Sequence, residues 1–232
     1  DDAHLKVEPY AWCWAAAAFL DGNLRYQGVF RKMKDKVADN TALFSRDFEN
    51  ALRAQSRELD EEWQLFIANV DYGYDFRRNA VRYQGGAVLP KEGRTVTIST
   101  DLGWQSTGIR MEEGKSYVVA AKGRYRVRQH PKDWWCEPGG ITIEYANGLH
   151  LGILLGNIRR DVPLPGAAGL VQPVKVGLGR RISAAGDGTL YLRVNEAAGG
   201  LSDNSGQITV KVKEATDSKA APQTTAGAAL AK

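Results

Sequence analysis

The spacing of apolar residues changes near Asp71, and this change most constrains what the chain can fold into. Before Asp71, apolar residues recur with the period of an amphipathic helix. After it, short runs rich in β-branched and aromatic residues alternate with polar ones and are separated by Gly, Asp, Asn and Pro turns, which is typical of strands. The sequence therefore predicts a two-domain α+β chain, with an N-terminal helical bundle followed by an antiparallel β-sandwich or jelly roll of about eight strands.

Three helices are predicted in the first part of the chain. The first contains YAWCWAAAAFL, has Pro9 at an early helical position and stops at 21–22. Its apolar residues lie on all sides, which predicts a buried helix. The second is predicted over 25–37 and the third over 45–67, with Ser45 as its N-cap.

The domain boundaries follow from where these patterns begin and end. The predicted helical domain covers 1–72, a connecting arm 73–84 and the β-sandwich 85–214. Residues 215–232 are small, polar and interrupted by Pro, so they predict a disordered tail. The predicted strands are 95–100, 116–121, 123–128, 141–145, 149–155, 170–176, 189–194 and 207–212.

Charge, hydropathy and cysteine count argue against several classes of protein. The chain has 31 Lys and Arg against 27 Asp and Glu, and this small excess is spread out, which does not indicate a nucleic-acid-binding protein. No apolar run reaches the roughly 18 residues of a membrane-spanning helix. Cys13 and Cys136 are too few for a disulfide framework or a four-ligand zinc site, and we predict two buried thiols.

Catalytic motifs are missing from the sequence. There is no HExxH pair, G-x-S-x-G elbow, P-loop or G-x-G-x-x-G fingerprint. His4, His130 and His150 lack a zinc-chelating spacing, and adjacent acids such as Glu112 and Glu113 point apart on a strand or helix. The sequence therefore favours a chain that is not an enzyme by itself.

Oxygen-bearing side chains gather in the segment NEAAGGLSDNSG, residues 195–206, between two strand-like runs. Glu196, Asp203 and Asn204 stand near its two ends, and a Gly-rich stretch allows these ends to come together. Carboxylate and amide oxygens are ligands that Ca²⁺ prefers. The same residue types also serve in any tight turn, because Asn and Gly tolerate positive φ and Asp caps its own turn. The sequence thus leaves two interpretations of this segment: a cation site, or an ordinary turn with solvated carboxylates.

Several segments occur in an order that resembles the calcium-dependent galactophilic lectins of the PA-IL-like type. They are GWQSTGIRMEEGKSYVVAAKGRY, WWCEPGG, GLHLGILLGNI, GTLYLRVNE and LSDNSGQITVKV. The resemblance implies a galactose-binding-like β-sandwich that binds carbohydrate or a glycoconjugate with the help of Ca²⁺. It also implies an extracytoplasmic location, whether periplasmic, at the cell surface or secreted.

This resemblance implies five calcium ligands. The side-chain ligands fall on Glu196, Asp203 and Asn204, and the carbonyl ligands on Gly200 and Val127. Two positions depart from the family pattern. Glu196 stands where the family has Asp, and its extra methylene displaces the carboxylate by about 1.5 Å. Asp203 replaces an amide with a carboxylate, and this added charge attracts a divalent cation more strongly.

Additional ligand contacts are predicted from Trp134, Trp135 and Arg126. An exposed indole face can stack on the apolar face of a sugar ring, and we expect one of the two tryptophans in the core and the other partly exposed. Arg124, Arg126 and Arg128 alternate along a predicted strand. Such a stripe is either a surface for acidic glycans or an ordinary solvated sheet face.

The helical half resembles the region that follows the zinc-binding helix in gluzincin-type metallopeptidases. The resemblance rests on YAWCWAAAAFLDGNLRYQGVFRKM followed by ALFSRDFENALRAQ. It implies, as an alternative function, the C-terminal accessory or substrate-docking region of a secreted peptidase whose catalytic residues lie upstream of Asp1. A third alternative is a purely structural domain for contacts in the cell envelope.

Overall fold

The computed structural model describes residues 4–39, 43–163, 166 and 169–215, and within them five α-helices precede twelve strands. The α+β class is therefore confirmed. The helices are α1 (His4–Gly22), α2 (Gln27–Met33), α3 (Phe44–Leu52), α4 (Ser56–Asn69) and α5 (Phe76–Asn79). The second predicted helix is α-helical only as far as Met33 and continues as a 3-10 helix over Lys34–Asp39. No helix in the described ranges is long and apolar enough to cross a membrane.

Helix α1 ends at Gly22 as predicted, but the prediction that it is buried is wrong for its N-terminal half. Tyr10, Trp12 and Trp14 are 75%, 49% and 61% exposed, whereas Ala15 and Phe19 are buried. An apolar pattern on all sides leads to burial only where other elements surround the helix. Here the neighbouring aromatic cluster covers mainly the second half of α1.

The prediction of one continuous third helix over 45–67 is wrong. Helices α3 and α4 are separated by a 3-10 turn over Arg53–Gln55, and α3 begins after Leu43 rather than at a Ser45 cap. A 3-10 turn has i→i+3 hydrogen bonds and about three residues per turn, so it interrupts the α-helical period between the two helices. The apolar residues of both helices nevertheless join one cluster with Phe19.

The two cysteines lie in different surroundings. Cys136 is buried as predicted, and burial raises the pKa of its thiol to about 11. The prediction of a second buried thiol is wrong, because Cys13 lies on the exposed half of α1. Both thiols are free.

The strands form two four-stranded antiparallel sheets and two hairpins. They are β1 (Arg94–Ser99), β2 (Gln105–Met111), β3 (Ser116–Lys122), β4 (Tyr125–Arg128), β5 (Trp134–Cys136), β6 (Ile141–Ala146), β7 (Leu149–Leu151), β8 (Leu154–Arg160), β9 (Val174–Lys175), β10 (Gly179–Ser183), β11 (Gly188–Val194) and β12 (Gln207–Glu214). The first sheet has the order β1-β12-β3-β10, and the second has the order β2-β11-β8-β9. The hairpins are β4-β5 and β6-β7.

Strand β2 shows why the predicted number of strands is too low. Its polar residues hide the alternation that marks a strand, but they are buried because they are hydrogen bonded: Thr107 Oγ1, for example, donates to the carbonyl of Leu190 at 2.8 Å. The predicted strand over 170–176 is also wrong. A 3-10 turn occupies Gly169–Val171, and only Val174–Lys175 pairs as a strand.

Both large sheets contribute to one hydrophobic core. Ile98 and Val210 from the first sheet belong to the same buried cluster as Met111, Leu154 and Leu192 from the second. All residues of β11 are buried, so this strand has no solvent-facing side. The two sheets therefore share a core, while the jelly-roll arrangement stays a prediction.

Helix α4 packs on the second sheet. Leu65 joins a cluster with Trp104, Leu155 and Tyr191, and the carboxylate of Glu61 lies 2.6 Å from Nε of Arg159. The predicted domain boundaries at 1–72, 73–84 and 85–214 stay a prediction. The predicted tail lies outside the described residues from position 216 onward.

Candidate functional site

The loop between β11 and β12, residues 195–206, is anchored firmly at its start. Asn195 is 1% exposed, and its Nδ2 donates to the carbonyl oxygens of Ala146, Leu149 and His150 at 2.9, 3.1 and 2.9 Å. These carbonyls belong to the β6-β7 hairpin. The amide of Asn195 thus fixes where the chain leaves β11.

The end of the loop is anchored to the ends of β1 and β4. Nδ2 of Asn204 donates to the carbonyl of Thr100 at 2.9 Å, and Oγ1 of Thr100 donates to the carbonyl of Gly206 at 3.0 Å. Arg126 and Ser205 exchange two backbone hydrogen bonds of 2.9 and 3.0 Å. Because both ends are fixed, the polar side chains between them have defined positions.

The carboxyl group of Glu196 lies inside this loop and lacks a full set of partners. Glu196 is 5% exposed, and its Oε1 accepts a hydrogen bond of 2.9 Å from the backbone N–H of Ala197. Its Oε2 is buried and has no hydrogen-bond partner among the described residues. Burial raises the pKa of Glu196 to about 7, against the effect of the Ala197 N–H, and the nearby carboxylate of Asp203 adds to the rise.

Asn204 provides a second buried oxygen without a partner. The residue is 6% exposed, and Oδ1 accepts no hydrogen bond from the described part of the chain. An unsatisfied buried acceptor costs about 1 to 3 kcal/mol, so two in one loop require an explanation. A carboxylate and an amide oxygen, each lacking a donor, together offer two ligands to a cation.

The remaining predicted ligands lie in the same loop or in the strand that bridges to it. A Cβ built on Gly200 would lie 2.8 Å from Oε1 of Glu196, so the carboxylate rests against the Gly200 backbone. Asp203 lies in the 3-10 turn Leu201–Asp203 and interacts electrostatically with Glu196. Val127 lies in β4 with its side chain in the core, one residue after the strand residue that bridges to Ser205.

The 195–206 loop contains two acidic side chains, Glu196 and Asp203. In the described ranges, no group of three or more His, Cys, Asp or Glu side chains could hold a metal ion. A cation in the loop would therefore depend on amide and carbonyl oxygens in addition to these carboxylates. Ca²⁺ accepts such mixed oxygen ligands.

The two tryptophans of β5 differ in exposure, but neither lies fully in the core, where the sequence predicts one of them. Trp134 is half-buried against the core and lies under the guanidinium of Arg128, whose Cζ is 4.6 Å from its ring centroid. Trp135 is 46% exposed, with Cζ of Arg124 at 5.8 Å from its ring centroid. Trp135 therefore offers an indole surface that solvent can reach.

The predicted arginine stripe is divided among separate partners. Arg128 forms a bidentate ion pair with Glu144, and Nη1 of Arg126 lies 3.5 Å from Oδ1 of Asp133. Nε of Arg126 also donates a long hydrogen bond of 3.4 Å to the carbonyl of Asp203. Arg126 thus connects β4 to the candidate loop.

Arg193 is a buried residue beside the loop that the sequence patterns do not indicate. It is 7% exposed in β11, and its Nη2 donates to the backbone carbonyl of Glu196 at 3.1 Å. In the run TLYLRV an arginine suggests a solvent-facing position. The structure instead buries it beneath α4, and only the combination of arginine with an otherwise apolar strand could have indicated this.

Comparisons with known proteins give weak structural neighbours. No family model matches the chain, and no curated protein matches it. The N-terminal, PllA-like lectin domain of EclA has 18% identity and a TM-score of 0.40, over 52% of this chain and 95% of that domain. PliG, a periplasmic inhibitor of g-type lysozyme from Aeromonas hydrophila, has 10% identity and a TM-score of 0.29, over 56% of this chain and 98% of the inhibitor.

A metallopeptidase is also among these neighbours. IMPa metallopeptidase, in complex with T-antigen, has 15% identity and a TM-score of 0.30, over 75% of this chain. The match spans 21% of the length of that metallopeptidase. A lectin domain and a metallopeptidase, the two classes that the sequence resembles, are thus both weak structural neighbours.

Proposed function

We propose that this chain is a non-catalytic carbohydrate-binding module whose 195–206 loop holds Ca²⁺ beside a bound sugar. The observation that carries the proposal is the pair of buried oxygens, Glu196 Oε2 and Asn204 Oδ1, without partners in the described part of the chain. Ca²⁺ takes about six to eight oxygen ligands. A bound cation would give both oxygens the positive partner that they lack.

The residues of the loop suit this role in different ways. Glu196 and Asn204 would bind through their side chains, Asp203 would add a second carboxylate, and the carbonyls of Gly200 and Val127 are proposed as further ligands. Gly200 has no side chain, which leaves room for the longer carboxylate of Glu196. When bound, Ca²⁺ supplies open coordination positions for a pair of neighbouring sugar hydroxyls.

The sugar would also contact side chains near the loop. Trp135 offers an exposed indole that can stack on a sugar ring, whereas Trp134, its neighbour in the same strand, is half-buried against the core. Arg126, which donates to the carbonyl of Asp203, would contact polar groups of the ligand. A galactose-binding-like jelly roll and an extracytoplasmic location belong to the same proposal and rest on the sequence resemblance.

Thermal unfolding with millimolar Ca²⁺ or with a chelator tests the cation site. A ligand at about 100 times its Kd stabilises by about 2.7 kcal/mol, which raises Tm by roughly 5 to 10 °C for a chain of this size. We expect this rise in the wild-type chain and in the control Glu92→Gln, which changes an exposed acid, but not in Glu196→Gln.

A glycan array, run with and without Ca²⁺, then tests the ligand class. The proposal predicts binding to carbohydrate that the chelator abolishes. Unchanged melting curves together with an empty array would contradict it. That outcome would favour an accessory region of a metallopeptidase-like protein or a structural domain of the cell envelope.

A further inference from the structure

A separate cavity lies between α4 and the second sheet, and of the 195–206 loop it is lined by Asn195. Its volume is about 310 Å³. Apolar side chains from several elements of the fold line it, among them Leu149, Leu155 and Leu170, and Ala68 of α4 stands at an exposed position on its wall. Such a space is large enough for a compact ligand, because a cavity of about 150 Å³ already binds benzene.

Arg193 brings a buried positive charge to this cavity. Its Nε donates to the carbonyl of Val194 at 3.2 Å and its Nη2 to that of Glu196 at 3.1 Å. A guanidinium has five N–H donors, so these two bonds leave donors available. No ion pair in the described ranges includes Arg193, and burial lowers its pKa. The carboxyl group of Glu196 interacts electrostatically with Arg193 but forms no ion pair with it, and a buried charge without a direct counter-ion is costly.

Trp104 lines the same cavity and adds a second unpaired donor. The residue is 2% exposed, and its Nε1 has no hydrogen-bond acceptor among the described residues. Its ring centroid lies 5.8 Å from Cζ of Arg193. None of the described residues that line the cavity is acidic. The site therefore has two adjacent donors and no protein carboxylate to receive them.

We infer that this cavity binds a small organic carboxylate with a body of about one ring. The guanidinium fork matches a carboxylate in a two-point contact, and the indole N–H supplies a further donor to the same anion. The apolar wall would pack against the ring. The carboxylate could belong to an acidic sugar or to an aromatic acid, and these two sources share the chemistry that the site recognises. This inference does not depend on the proposed calcium loop.

Calorimetric titration in the presence of a chelator tests the site with galacturonate, benzoate and neutral galactose as probes. We expect heat of binding from at least one of the two acids and none from galactose. Binding of galacturonate alone assigns the site to acidic sugars, and binding of benzoate alone assigns it to aromatic acids. The inference is overturned if neither acid binds or if galactose binds as well as galacturonate.

Two variants test the assigned residues. Trp104→Phe removes the unpaired N–H and keeps an aromatic ring, so we expect the affinity for the acid to fall roughly ten-fold. The matched control Trp14→Phe alters an exposed tryptophan of α1 outside the cavity and should leave the affinity unchanged. Ala68→Leu keeps both donors and narrows the cavity from α4, and it should also weaken binding. Equal affinities in wild type, Trp104→Phe and Ala68→Leu would overturn the inference.

The outcome is distinct from that of the calcium proposal. The chelator keeps the loop free of Ca²⁺, and Glu196→Gln leaves the backbone carbonyl that accepts from Arg193. Glu196→Gln should therefore bind the acid at least as tightly as the wild-type chain does, because it removes a negative charge that interacts with Arg193. Either proposal can fail while the other holds.

Discussion

The 195–206 loop and the cavity under α4 contain unpaired buried groups of opposite kinds. In the loop, Glu196 Oε2 and Asn204 Oδ1 are acceptors without donors, whereas in the cavity Trp104 Nε1 and the Arg193 guanidinium are donors without a carboxylate. The two regions meet where Arg193 donates to the carbonyl of Glu196. The difference is the reason that we propose ligands of opposite charge, a cation for the unpaired acceptors and an anion for the unpaired donors.

The largest expected effect is that Glu196→Gln changes the free energy of unfolding in opposite directions with and without Ca²⁺. In chelator at pH 8, the wild-type chain carries a buried, ionised carboxylate whose Oε2 has no hydrogen-bond partner among the described residues, so the variant should be the more stable of the two. In saturating Ca²⁺, the wild-type chain should be the more stable, because Gln removes the charge that the cation requires. Chemical unfolding in both conditions measures this effect. If the same protein is the more stable one in both conditions, Glu196 is not the acceptor of a cation and the contrast between loop and cavity fails.

The pH dependence of the chelator-treated protein gives the next effect. The pKa of Glu196 is raised from an ordinary value of 4.5 to about 7, so the folded state binds more protons than the unfolded state between these values. The free energy of unfolding should therefore fall as pH rises through this range, by about 3 kcal/mol in total.

The contribution of Glu196 is isolated by subtracting the pH profile of Glu196→Gln, measured by denaturant unfolding at pH 5 and pH 8. We expect the difference between the two proteins to change in favour of the variant as pH rises. If the pH profiles of the two proteins run parallel, the folded chain does not disfavour the ionised form of the Glu196 carboxyl group.

Arg193→Met tests the donor side of the comparison. Met approximately fills the space of the arginine stem but offers no donors, so the affinity for an acid probe should fall at least ten-fold, in line with the loss of about 1.5 to 3 kcal/mol for a charged hydrogen bond. Calorimetry measures the affinity, and the melting curve checks that the variant folds. Undiminished acid binding would remove Arg193 from the site.

The smallest effect is expected from Asp203→Asn. This change removes one negative charge from the loop while keeping an oxygen ligand, and the affinity for Ca²⁺ should fall only a few-fold. In chelator, it should also lower the pKa of Glu196, because the Asp203 carboxylate contributes to raising that pKa. An Asp203→Asn chain with tighter Ca²⁺ binding would contradict the charge argument.

Local patterns in the sequence predict part of this fold. The end of α1 at Gly22 follows from local chain chemistry, since Asp21-Gly22 stops a helix wherever it packs. The exposure of Tyr10 and Trp14 depends on which elements lie beside α1, and the period of one helix does not contain that information. Strand β2 escapes prediction for a related reason, because hydrogen bonds rather than apolar side chains allow Gln105 and Thr107 to be buried.

The two candidate sites also differ in how far the sequence predicts them. Glu196 and Asn204 stand in one short loop, so sequence and family resemblance can bring them together. Trp104 and Arg193 are far apart in the chain and meet because β2 pairs with β11, with Gln105 opposite Leu192, while α4 covers the strand face that would otherwise be solvent-facing. Alternation along β11 cannot reveal that both of its faces are buried.

Calorimetric titration of Ca²⁺ into the chain at pH 7.5 tests the central claim most directly. The loop predicts saturable binding of one ion per chain, retained in Glu92→Gln and lost in Glu196→Gln, since only the latter removes a carboxylate whose Oε2 lacks a partner in the described structure. Absence of binding to the wild-type chain, or equal binding to Glu196→Gln, would contradict the account.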